Sequence, residues 1–148
     1  VNSDQFEWNE ADEWGVVQID REHKKLLKTL QTISMCTPTT YTKELKRQII
    51  KELRSYMNFL EYEEKVLESI AYPSLQEHKN IHKKIAQQLS LMLKNISELS
   101  MLQSKTKVVA KQLLVSHLAE EDIHVKRYLL KNEITLAEEE IEILVARI

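Results

Sequence analysis

The chain has 148 residues, 43% hydrophobic and 30% charged, with 21 basic against 23 acidic side chains and a formal net charge of -2. That length can bury a core without disulfide staples, and the interspersed charges leave neither a basic stripe for nucleic acid nor a polybasic patch for a membrane. One glycine and two prolines are too few for the many turns of a β-rich fold, so an all-α fold is expected. Lone Cys36 has no internal disulfide partner, no stretch reaches the ~20 apolar residues of a membrane span, and the acidic start VNSDQFEWNEADEW lacks the layout of a signal peptide. These features lead us to expect a cytoplasmic protein.

Residues 1–18 hold Trp8, Trp14 and Gly15 without a helical apolar period, and read as an extended arm that lays its aromatic rings across the rest. Asp20 is an N-cap candidate for a first helix over about 20–36, with His23, Leu26, Leu27, Leu30 and Ile33 on one face. The segment from Cys36 to Thr42, around Pro38, reads as a loop. From about 43 to 70 a stripe of Leu45, Ile49, Leu53, Tyr56, Phe59 or Leu60, Glu63, Val66 or Leu67 and Ile70 marks a core-facing helix. Glu63 lies on that apolar stripe, where a carboxylate must be paired, protonated or bound to a metal.

After the turn at Tyr72 and Pro73, Ser74 and Glu77 are spaced as a capping box. A third helix is expected to run to about residue 100 with His78, Ile81, His82, Ile85, Leu89, Met92 or Leu93 and Ile96 facing inward. The polar stretch from Ser100 to Thr106 reads as a break before a fourth helix with Val109, Leu113, Leu114, His117, Leu118, Val125 and Tyr128 inside. Thr135 and Glu138 form a second capping-box pattern, which predicts a short C-terminal helix over 135–147. Long helices on short connections favour an antiparallel up-down-up-down four-helix bundle over 19–131, flanked by the arm and the short helix within one domain over 1–148.

The chemistry-bearing residues cluster on that plan. His78 and His82, four apart on a helix, lie about 40° apart around the axis and can grip one metal ion. His124 follows His117 by seven residues, about 10.5 Å along the axis. That is too far to share an ion with His117, so a boundary histidine hydrogen-bonded near the bundle end is expected. Taken one at a time these are ordinary polar residues, and Asp122 alone would belong to the acidic run Glu120-Glu121-Asp122. Their joint spacing carries the reading.

With G-V-V-Q-I-D-R-E-H at 15–23, E-E at 63–64, Y-P-x4-H-x3-H at 72–82 and H-x4-D at 117–122, the chain resembles the hemerythrins, most of all their bacterial branch. The resemblance spans Trp8 to about Tyr128. It implies non-haem iron inside the bundle, two ions bridged by a glutamate, an aspartate and an oxo or hydroxo group, and reversible binding of O2. Carried over, His78, His82 and His117 would hold the first iron, Glu63 and Asp122 would bridge, and His23 would hold the second. The family's remaining histidine falls on Phe59, in N-F-L-E-Y-E-E, and Phe cannot donate to a metal. The resemblance therefore implies two irons, while Phe59 leaves room for one, for a water-rich second site, or for a substitute ligand from Tyr56 or Tyr62.

A ligand such as O2, another small diatomic or peroxide is expected, with no catalytic residue, although an open iron also suits peroxide or nitric oxide chemistry. Two other classes compete. A ferritin-like di-iron oxidase needs Glu-x-x-His pairs on two helices, and only Glu121-Asp122-Ile123-His124 offers one. A structural or signalling bundle with a degenerate or mononuclear site, listening through a partner domain, takes its support from Phe59.

Overall fold

The computed structural model describes residues 14–112 and 122–135. Among them the chain forms five helices and no strand: α1 (Val17–Met35), α2 (Lys43–Ser69), α3 (Leu75–Lys94), α4 (Leu99–Val109) and α5 (Asp122–Lys131). Helix α1 packs on α2 and α4, and α3 packs on the same two helices, so the four enclose one core. His117 lies outside the described residues, as does everything after Thr135, so the expected C-terminal helix and the Glu138 end of its capping box fall there too.

The apolar stripes explain the packing. Leu26, Leu27, Leu30 and Ile33 of α1 meet Ile49, Leu53, Leu60 and Leu67 of α2 and Ile85, Leu89 and Met92 of α3 in one buried cluster. Both members of each alternative on α2 are buried, Phe59 with Leu60 and Val66 with Leu67, because the core-facing arc of a helix is wide enough to take adjacent positions.

Several helix ends differ from the sequence expectations. Helix α1 begins at Val17, with Val16 at the cap position and no side-chain cap. Asp20 does not cap it; its carboxylate instead accepts hydrogen bonds from the backbone N–H groups of Trp14 (2.8 Å) and Gly15 (3.1 Å). Gly15 supplies the φ of +85° that this close turn requires. Thr42 caps α2 by accepting from the Leu45 N–H, whereas Ser74 makes no side-chain cap on α3, so the expected capping box is not formed.

The break between α3 and α4 lies at residues 95–98 rather than 100–106. Asn95 closes α3 through its backbone N–H and its side-chain amide, both donated to the Leu91 carbonyl. The polar stretch after it is helical because Leu102, Thr106 and Val109 form a buried stripe. Thr106 satisfies its own hydroxyl on the Leu102 carbonyl, and Gln103 donates to the Ile33 and Cys36 carbonyls at the open end of α1.

Helix α2 stops without a glycine. Tyr72 N–H donates to the Leu67 carbonyl and Ala71 N–H to the Glu68 carbonyl, with Ala71 at φ +54°, which is the Schellman pattern for closing a helix. The turn sends the chain into α3 and buries Tyr72. Tyr128 of α5 donates its hydroxyl to the Ile70 and Ala71 carbonyls of this turn.

Candidate metal centre

Glu63 is fully buried in the C-terminal half of α2, and imidazoles from two other helices point at its carboxylate. His78 Nε2 (2.5 Å) and His82 Nε2 (3.0 Å), both from α3, contact Oε1. His23 Nε2, from α1, contacts Oε2 at 2.9 Å. The two oxygens therefore face different partners, two imidazoles on one side and one on the other. His82 is gripped at both nitrogens, since its Nδ1 meets Glu64 Oε2 at 3.1 Å.

Burial by itself pushes the Glu63 carboxyl up, but the charge of His82 and the hydrogen bonds from His23, His78 and His82 outweigh it and hold the group well below its usual range. Burial would lower His82; the Glu63 charge and hydrogen bond, with Glu64 behind them, raise it to about 9. The pair is thus a buried carboxylate facing an imidazolium, a charge pattern that a cation can replace by displacing protons.

Aromatic rings enclose the cluster. Trp14 stands edge-on to His23 (6.0 Å between centroids) and to His78 (6.1 Å), held there by the Asp20 contacts to its backbone. On the Oε2 side, Phe59 lies 5.8 Å and Tyr56 6.4 Å from the His23 ring. Tyr62 is half-buried and touches Phe59 at 6.0 Å. Tyr72 covers His78 at 6.4 Å and is itself covered by Tyr128.

Of the residues singled out from sequence, His23, Glu63, His78 and His82 come together, with Phe59 and Tyr56 beside them. His117 and the side chain of Asp122 lie outside the described residues. His124 is exposed beside a shallow groove with Glu77 and Tyr128, and it makes no hydrogen bond to a described residue. Among the described residues the ring is exposed, and the hydrogen bond expected of a boundary histidine is not among their contacts. Glu64 and Tyr72 are site neighbours whose roles the spacing did not reveal, because each acts across helices.

The donor set fits a cation. One ligand atom each from Glu63, His78 and His82 lie within 4.8 Å of one another, all three residues buried, and imidazole with carboxylate suits iron and other divalent transition metals. A family model described as the hemerythrin HHE cation binding domain matches residues 15–129. Among curated proteins the chain is similar to the bacteriohemerythrins of three strains of Campylobacter jejuni. Each is 26% identical over 113 residues, covering 74% of this chain and 84% of the relative. No solved structure matches the chain significantly.

Proposed function

Because the chain belongs to the hemerythrin family, we propose that it is a non-haem iron protein that binds or senses O2 or a related small ligand inside an antiparallel up-down-up-down bundle. The observation that carries this reading is the division of Glu63, one oxygen toward His78 and His82 and the other toward His23, all buried. A carboxylate disposed this way is suited to bridging two ions, with His78 and His82 on the first and His23 on the second. His117 would complete the first position and Asp122 would be the second bridge. When bound, iron supplies a redox-active centre that can take up a small diatomic ligand.

The chain's own contribution is to hold and shield that centre. Glu63 neutralises cationic charge in a site where an unpaired ion would be costly, the imidazoles fix the position of the ion, and Trp14, Phe59 and Tyr72 exclude water around it. The Oε2 side is the altered half: Phe59 offers a ring face toward His23 and no donor, which favours a second ion that is weakly held or absent. Tyr56, buried against His23, is better placed than half-buried Tyr62 to stand in as an oxygen ligand. No helix among the described residues is long and apolar enough to cross a membrane.

Metal analysis per chain, followed by the optical spectrum of the reduced protein before and after admission of air, tests the reading. One or two irons with a reversible spectral change support it. A chain that takes up no iron when supplied with it anaerobically overturns it and favours the structural bundle.

A further inference from the structure

Adjacent residues on one helix grip opposite nitrogens of the same ring. Glu63 and Glu64, about 100° apart around α2, place Oε1 at 3.0 Å from His82 Nε2 and Oε2 at 3.1 Å from His82 Nδ1. The two carboxylates are not equivalent, since the Glu63 side chain is fully buried and that of Glu64 is 21% exposed. The ring between them comes from α3 and is 3% exposed, so the clamp joins the two helices at the site.

We propose that Glu64 is a positioning residue for metal uptake: it fixes the proton of His82 on Nδ1 and the ring in one orientation, so that Nε2 presents its lone pair to an ion beside Glu63. An ionised carboxylate only accepts hydrogen bonds, so its contact at Nδ1 requires an N–H there. When an ion takes Nε2, one proton leaves that nitrogen for solvent and the Nδ1 proton stays on the Glu64 hydrogen bond. Glu64 cannot share that ion, because it sits on the far side of the ring. A partner of this kind on a metal-bound histidine orients the ring and raises its basicity. The inference rests on the metal-binding reading above and adds to it a residue that touches no metal.

Anaerobic titration of Fe(II) against a competing chelator, with wild type, Glu64→Ala and Glu64→Gln, tests it. Glu64→Ala is expected to lose about 10- to 100-fold in Fe(II) affinity. Glu64→Gln keeps an acceptor oxygen for Nδ1–H, and its affinity is expected to stay within about threefold of wild type, since a retained partner preserves the orientation. Nitrogen-15 spectra of the diamagnetic Zn(II) forms should show His82 protonated at Nδ1 in wild type and Glu64→Gln, with that signal lost to exchange in Glu64→Ala. Wild-type affinity in Glu64→Ala, or a loss in Glu64→Gln as large as in Glu64→Ala, overturns the inference and leaves the metal reading standing. A wild type that takes up no Fe(II) overturns both.

Discussion

Stripped of metal by a chelator, the protein should lose stability between pH 6 and pH 9 because of one ring. His82 has its folded-state pKa raised from 6.5 to about 9, so its contribution is fully present below the unfolded value and is lost as pH rises through the folded one. At ~1.4 kcal/mol per pH unit, that displacement is worth roughly 3 kcal/mol near pH 6 and well under 1 kcal/mol at pH 9. The ring is almost fully buried, so solvent screening removes little of this. With a urea dependence of about 2 kcal/mol per molar, the unfolding midpoint should fall by roughly 1.5 M across the range. The assay is urea unfolding followed by far-UV circular dichroism at half-unit pH steps with chelator present. Glu63→Gln keeps the shape of the side chain and removes the charge that is first among the influences raising His82, so it should flatten the slope by more than half. On the acid side the sign reverses: Glu63 is held low, so its contribution is present above about pH 4.5 and lost as pH falls through its lowered value. A midpoint that is level from pH 6 to pH 9 in wild type, or that falls equally in Glu63→Gln, would refute the assignment of an imidazolium beside a buried carboxylate.

Replacing Phe59 by histidine puts a donor on the side of Glu63 that faces His23, and iron per chain by elemental analysis should rise, with the second equivalent bound more tightly than in wild type. If Tyr56 supplies an oxygen ligand, the ferric protein should carry a visible tyrosinate charge-transfer band that disappears in Tyr56→Phe and survives in Tyr62→Phe; no such band in the loaded wild type rules the substitution out. Ala71 holds φ +54° on the exposed turn that ends α2, a conformation that costs a residue with a Cβ about 1 kcal/mol or more. Ala71→Gly should therefore stabilise the protein by roughly 0.5 kcal/mol after the extra entropy of an unfolded glycine, read as a rise of about 1–2 °C in the thermal midpoint.

The sequence by itself determined the helical class and the buried faces, because apolar spacing of three and four residues is a local property of one segment. It also determined which side chains could meet. His78 and His82 share a face by spacing alone, and Glu63 on an apolar stripe demands a partner wherever it is buried. Tertiary structure decided where helices begin and end. Ala71 and Glu133 close α2 and α5 at positive φ without glycine, and Leu102, Thr106 and Val109 turn a polar stretch into helix because the core beside α1 and α3 rewards their burial. Asp20 left its expected capping role because the Trp14 and Gly15 backbone offered it two donors. Tertiary structure alone set the division of Glu63 between imidazoles, the second carboxylate on His82 and the ring of Trp14 over the cluster. Those contacts join helices far apart in the chain, and their distances depend on how the helices pack, which spacing within a single segment does not specify.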